Sequence, residues 1–248
     1  MNRIEDYSKL KDRIVEWINC YVDSNNIKSL VVGVSGGIDS AVTSTLAAST
    51  GLPTYVVGMP ILQDKDQESL SDIHCAWLAK NFHFNVTSRK FDLTKVFESF
   101  KSVMSHEEFN TDHAFANTRS RLRMVTLYQV ATVTQGIVVG TGNKVEDYGI
   151  GFYTKYGDGG VDIAPIADLY KTEVWELGKF MGIDSRIIEA QPTDGLWDDG
   201  RTDEDQIGAS YAELEEAMHH RTGPAVDILD KFSRINQHKM QPIPTFLL

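Results

Sequence analysis

The chain has 248 residues, enough for one sizeable α/β domain with a full core or for two small ones. Its 42% hydrophobic and 24% charged content is that of an ordinary globular protein, and its net charge of −11 argues against a general nucleic-acid or anionic-membrane surface. No apolar run approaches the ~20 residues that span a bilayer, MNRIEDYSKLKDR lacks the apolar stretch of a secretory signal, and two cysteines, Cys20 and Cys75, make neither a disulfide framework nor a zinc site; together these features favour the cytoplasm.

Ile4, Tyr7, Leu10, Ile14, Trp17, Ile18 and Tyr21 recur at helical spacing, so the chain opens on an amphipathic helix. SLVVGV is short, apolar and β-branched, as a buried parallel strand is. DSAVTSTLAAST has helical composition and stops at Gly51; PTYVVGMP is a second strand and QESLSDIHCAWLAKNF a second helix. FNVTSRKF reads as a third strand, followed by helices near Leu93–Met104 and Thr118–Thr134, and GIVVGT as another short buried strand. Strands alternating with helices predict an open, mostly parallel sheet with helices on both faces. GIGFYTKYGDGG and QPTDGLWDDGRTDEDQ are long, glycine-bearing loops, expected to act as mobile covers. KTEVWELGKFMGI is a helix between them, and two further helices are expected near Glu204–His220 and Pro224–Gln237. No repeat or linker divides the chain, so it reads as a single domain.

The turn after SLVVGV lies at the carboxyl end of a strand, where open α/β sheets bind ligands. There Gly36 and Gly37 bring backbone N–H groups close to an anion, Ser35 and Ser40 add hydroxyls, and a helix begins. This is a phosphate cradle. It has no lysine for a Walker A ending, and Gly33, Gly36 and Gly37 do not fit a dinucleotide fingerprint. An ordinary glycine turn with Asp39 as helix cap is the plainer alternative. A carboxylate inside a phosphate cradle calls for a divalent metal, with a second carboxylate elsewhere.

The loop resembles the S-G-G-x-D-S signature of the N-type ATP pyrophosphatases, enzymes that cleave ATP between the α and β phosphates and adenylate a substrate oxygen. RSRLRM, VVGTGNKVED, FYTKYGDGGVDIAPIADLYKTEVWELG and PTDGLW…RTDEDQIG, in that order, resemble the NAD synthetase family. That resemblance implies a Rossmann-like fold of the adenine nucleotide alpha hydrolase type. It implies amidation of nicotinic acid adenine dinucleotide (deamido-NAD) to NAD with ATP, Mg²⁺ and ammonia, through an adenylate, in a homodimer. With the phosphate loop beginning at residue 35, the amidase domain of glutamine-dependent members is not expected. By resemblance the ATP site takes Gly33, Val34, Ser35, Gly36, Gly37, Ile38, Asp39, Ser40, Thr141, Lys171 and Thr193. The metal falls to Asp39 and Glu146, and the substrate to Tyr21, Arg121, Tyr128, Lys155, Asp158, Asp162, His238 and Lys239. Lys171 is expected to neutralise charge on pyrophosphate and Asp158 to attract ammonium and take its proton.

The chain departs from the family pattern in three places. GTGNKVE stands where many relatives read GTDHAAE. One extra residue lies between Glu146 and FYTKYG. An aromatic of the dinucleotide pocket falls at His113 or nearby Phe115.

Several residues have plainer readings. Lys155 and Lys171 taken alone are surface lysines, and Asp198, Asp199, Asp203, Glu204 and Asp205 a solvated acidic loop. Arg119, Arg121 and Arg123 alternate on a helix and cannot all face one site; adjacent His219 and His220 make a poor metal pair. Trp17, Trp77 and Trp175 are expected in the core. A PP-loop enzyme with another acceptor, such as a tRNA-modifying one, and a non-catalytic ATP-binding module are the alternatives. No nucleic-acid or membrane partner is expected.

Overall fold

The apolar, β-branched runs and the more polar VTSRK form four parallel strands in the order β3-β2-β1-β4: β1 Ser29–Gly33, β2 Thr54–Gly58, β3 Val86–Lys90 and β4 Gly136–Val138. The computed structural model describes residues 3–63, 65–193 and 202–247, the side chains of 65–68 excepted. β1 and β2 are buried almost throughout, whereas β3, at the edge, ends on exposed Arg89 and Lys90, charged residues of the kind that discourage edge pairing. β1 also demonstrates the two-residue period of a strand covered on both faces. Leu30 and Val32 pack with Ile18, Val22 and Ala47 on one face, and Val31 packs with Val57, Ala131 and Val138 on the other.

On the first face lie α1 (Tyr7–Ser24) and α2 (Ile38–Ser49); on the second lies α5 (Asp112–Thr134). α3 (Lys65–Asn81) covers the sheet through Cys75 and Leu78, and α4 (Thr94–Val103) packs Phe97 against Phe115 of α5. α2 is buried nearly all round although it is rich in Ser and Thr. Three of its hydroxyls bond back to helix carbonyls, Ser44 to Ser40, Thr45 to Ala41 and Ser49 to Thr45, each at 2.7 Å, whereas the buried Thr43 hydroxyl has no hydrogen-bond partner. α6 (Lys171–Phe180) and α7 (Ser185–Ile188) add Val174, Leu177 and Ile187 to the core around α2. A second core gathers α8 (Asp203–Ile207), α9 (Tyr211–His220) and α10 (Val226–Met240) around Val145, Ile150 and Tyr170. Among the described residues no helix is long and apolar enough to cross a membrane.

Three expectations need correction. The long helix α5 begins at Asp112, six residues before the expected start at Thr118, because Thr111 caps it by accepting the Ala114 N–H. The helix expected over Glu204–His220 is two helices. Gly208, in the left-handed region at φ 84°, ends α8, and Ser210 starts α9 with a capping box to Glu213. Trp17 is not core: it is 46% exposed on α1 beside Tyr21.

A buried histidine makes stability depend on pH. His74 of α3 is enclosed against α2, its Nε2 3.0 Å from Ser44 Oγ and its ring stacked on Trp77. Burial lowers its pKa to about 4. The unfolded chain therefore takes up this proton first as pH falls. The contribution is intact above the unfolded value of about 6.5 and declines toward about 4, a loss on the order of 3 kcal/mol. Urea unfolding at about pH 7.5 and about pH 4.5 should show this loss, and His74→Gln should flatten the profile by most of it. An unchanged profile would mean that other groups carry the acid sensitivity.

Candidate active site

The chain crosses from one side of β1 to the other between β3 and β4. The carboxyl ends of β1 and β4 thus flank a switch-point crevice. Residues 34–40 follow β1, residues 139–142 with Glu146 and Asp147 follow β4, and together they line a cavity of about 300 Å³. In the first segment Gly36 takes φ 94°, a turn that a side chain would oppose. Ser40 Oγ donates to the Gly37 carbonyl at 2.9 Å and accepts the Ser35 N–H at 3.2 Å. The two serine hydroxyls thus hold the loop's own shape. Gly37, without a side chain, is the N-cap of α2, and Asp39 is not a cap.

Instead the Asp39 carboxylate enters an ionic centre. Lys171 Nζ, on the first turn of α6, donates to Asp39 Oδ2 at 2.6 Å and to Glu146 Oε1 at 2.8 Å. Asn143 Nδ2 donates to Asp39 Oδ1 at 3.2 Å, and Asn143 Oδ1 accepts the Val145 and Glu146 N–H groups. The Tyr211 hydroxyl donates to Glu146 Oε1 at 2.5 Å and lies 3.2 Å from Asp203 Oδ2. The Lys171 side chain is only 3% exposed, against 16% for Asp39 and 15% for Glu146. Burial opposes its charge, but Asp39 and then Glu146 outweigh that and hold the ammonium above the usual lysine range. Burial likewise opposes the Glu146 charge, yet Lys171 and the hydrogen bonds hold that carboxyl below its usual value. Asp39 is pushed up, by burial and by Glu146 together, a direction that a second positive charge would reverse.

Glu146 sits on a π-helix, Lys144–Ile150, the wide turn that absorbs an inserted residue. The turn also exposes Asp147 to the cavity, where burial, Asp158, Glu146 and Asp39 all push its carboxyl well above the usual range. Opposite, Asp158 Oδ1 accepts from Ser120 Oγ at 2.6 Å and from the Thr154 N–H at 2.9 Å. Burial raises its pKa against those bonds.

The segment 149–160 is a packed element rather than a loose cover. Gly151 has φ 64°, and a Cβ there would lie 2.6 Å from Asn236 Cβ. Gly149, Gly157 and Gly159 meet Met218, Ser120 and Tyr153 as closely. Tyr153 and Lys239 close a reciprocal pair: the phenol donates to the Lys239 carbonyl at 2.7 Å, and Lys239 Nζ donates to the Tyr153 carbonyl at 2.6 Å. The glycines expected to loosen this segment are instead what lets α10 and α5 approach it. Half of the second expected cover, residues 194–201, lies outside those described; Thr193 and Asp203, on either side of that half, line the cavity.

The residues expected at the ATP and metal site converge. Gly33 to Ser40, Thr141, Glu146, Lys171 and Thr193 all line the one cavity, and Asp158 joins them. The other residues expected at the substrate do not line it. Tyr128 donates to Asp162 Oδ1 at 3.0 Å while Asp162 Oδ2 accepts the Val138 N–H at 2.7 Å. Arg121 reaches the Lys155 carbonyl at 3.3 Å, Lys155 lies over the Tyr156 ring, and His238 and Tyr21 are exposed on α10 and α1. Phe115 is buried edge-on to Phe97 and is not a stacking platform, while His113 is exposed beside Asn117. The three alternating arginines diverge as expected: Arg119 lies over Phe97, Arg121 outside the cavity, and Arg123 inside it, bonded to the Met59 carbonyl and to Gln63. Asn143, Asp147 and Tyr211 were not anticipated. Asn143 and Asp147 flank Glu146 in sequence, but nothing local distinguishes Tyr211 from a core aromatic.

Known proteins resemble this chain along nearly its whole length. The family model described as NAD synthase matches residues 10–245. The NH(3)-dependent NAD(+) synthetase of Methanosarcina acetivorans is 34% identical, across 96% of this chain and 98% of its own. Among solved structures, an NMN synthetase from Francisella tularensis superposes with a TM-score of 0.88 at 29% identity, covering 99% of this chain and 100% of its own. An NH3-dependent NAD synthetase from Campylobacter jejuni, at a TM-score of 0.77 and 24% identity over 99% and 100%, shares the fold.

Proposed function

The chain belongs to the NAD synthase family, and from that premise we propose that it amidates the nicotinate carboxylate of deamido-NAD to give NAD, using ATP and ammonia. The carrying observation is the phosphate cradle that opens beside Lys171, Asp39 and Glu146 in one cavity. Adenylation brings a carboxylate to a triphosphate, two anions. The loop amides and the N-terminus of α2 receive the phosphates, and Lys171 supplies the buried positive charge.

Asp39 and Glu146 fit Mg²⁺. They are hard oxygen donors, they already hold one cation between them at 2.6 and 2.8 Å, and magnesium commonly completes a carboxylate pair with phosphate oxygens. When bound, the ion would draw electron density from the leaving pyrophosphate. The substrate carboxylate oxygen bonds to the α-phosphorus as pyrophosphate departs. Asp158 draws ammonium into the cavity and takes one proton, the ammonia nitrogen bonds to the acyl carbon as AMP leaves, and the nitrogen gives up its second proton to solvent.

We assign the enzyme one domain that works with ammonia rather than glutamine, in the cytoplasm. A homodimer accounts for the substrate residues outside the cavity. Tyr21, Trp17, Val125 and Val133 leave apolar surface exposed on α1 and α5, where a second copy would meet them. The test is pyrophosphate and NAD formation from ATP, Mg²⁺, deamido-NAD and ammonium. NAD should not form when glutamine replaces ammonium, and efficient glutamine use by the purified chain would contradict the assignment.

A second reading has a specific observation behind it: the likeness to a protein named NMN synthetase, at a TM-score of 0.88. Nicotinic acid mononucleotide presents the same carboxylate to the same cavity without the adenylate half that the outlying residues would hold. Comparing kcat/KM for the two acids decides between them. A higher value for the mononucleotide would replace the first reading on acceptor alone and leave the adenylation chemistry intact.

A further inference from the structure

We propose that the Tyr211 hydroxyl is a positioning group for adenylation: it fixes Glu146 in the orientation the cation needs and ties that carboxylate to the segment entering α8. The inference rests on the reading that Asp39 and Glu146 hold a divalent cation.

Packing alone does not call for this hydroxyl. The Tyr211 ring is 1% exposed, meets Trp175 edge-on at 6.0 Å and lies under Lys171 Nζ at 4.9 Å from its centroid. A phenylalanine would serve all of those contacts, without a buried polar oxygen that needs partners. The oxygen finds them in Glu146 and Asp203. A phenol has one proton, and the 2.5 Å contact to Glu146 Oε1 claims it over the 3.2 Å contact to Asp203. Lys171 uses the same oxygen at 2.8 Å. Two donors on Oε1 fix the rotation of the carboxylate and turn Oε2 to the other side, as the oxygen for the cation.

The same residue reaches the neighbouring segment through its backbone. Tyr211 N–H donates to Glu204 Oε1 at 2.9 Å, and Asp203 N–H donates to the Pro192 carbonyl at 3.0 Å. Residues 192 and 203 thus meet beside Tyr211, with Thr193 on the cavity wall. A shift of α8 is felt at Glu146 through one hydroxyl.

Tyr211→Phe removes the hydroxyl and keeps the ring. The probe is Mn²⁺ titrated by electron paramagnetic resonance into the full chain with ATP, beside steady-state pyrophosphate release and thermal unfolding. Expected are an Mn²⁺ affinity weaker by about 10-fold to 100-fold, as for groups that orient a metal ligand, a kcat lower by a similar factor, an unchanged KM for the acid substrate, and an unchanged or higher unfolding midpoint. Mn²⁺ affinity and kcat equal to those of the unaltered protein would overturn the proposal. So would a lower midpoint with Mn²⁺ affinity kept, the mark of a purely structural tyrosine. If the unaltered protein with ATP binds no Mn²⁺, the metal reading falls and this inference with it; if it binds and the variant binds equally, the inference alone falls.

Discussion

Lys171→Met is expected to abolish measurable turnover and to cost about 3–5 kcal/mol of stability at neutral pH without divalent ions, the range for breaking a buried ion pair from one side. The lysine is the buried cation that Asp39 and Glu146 share. Methionine keeps the length and apolar stem but leaves two adjacent carboxylates facing each other. Their folded-state pKa values then rise above the unfolded ones, so the variant binds more protons folded than unfolded and loses stability as pH rises through the carboxylate range. Denaturant unfolding should find the variant's deficit smaller at about pH 5 than at about pH 7.5. Mg²⁺ should raise the variant's midpoint more than that of the unaltered protein, because the emptied position is bounded by two carboxylates. A deficit below about 1 kcal/mol would mean that the centre is solvated and the lysine dispensable to the fold.

Asp39→Asn and Glu146→Gln are expected to lower kcat for pyrophosphate release by about 10³-fold each, equivalent to about 4 kcal/mol of lost transition-state stabilisation. The amides preserve shape and leave Lys171 one carboxylate partner, so circular dichroism and the unfolding midpoint should change far less than in Lys171→Met. Raising Mg²⁺ should recover part of the rate in each single variant and none when both are changed. Near-normal turnover in either single variant would remove that residue from the metal site.

The sheet was legible because its inner strands are apolar, β-branched and flanked by turn residues, and the alternation of β1 between the two faces follows directly. The ATP side of the site was legible for a related reason. The phosphate loop is contiguous, and Thr141 and Glu146 follow the second strand of the same crevice, so topology alone brings them together. The ion triad was less accessible. That Lys171 bonds both carboxylates depends on how α6 packs on α2, a contact between residues 132 apart. Tyr211 was invisible as a functional group because its spacing is that of a core aromatic and its partner is 65 residues away. The break between α8 and α9 carried a readable signal, Gly208 followed by Ser210 and Glu213, which helical periodicity on either side obscured. The glycines of 149–160 were misread because composition reports freedom of the backbone and not the closeness of its neighbours.

The pairing of Tyr153 with Lys239, and of Asn236 with the Ile150 carbonyl at 2.7 Å, gives the protein a definite order of birth. The sheet and its phosphate loop draw on strands complete by residue 138. The wall that carries Asp158 is backed by a helix translated about a hundred residues later, since chains grow from the ribosome in sequence and fold as their parts emerge. A nascent chain can therefore own a finished nucleotide cradle while the wall opposite it is still unsupported. Stalling translation before α10 should release polypeptides that retain the parallel sheet and bind ATP without turning it over.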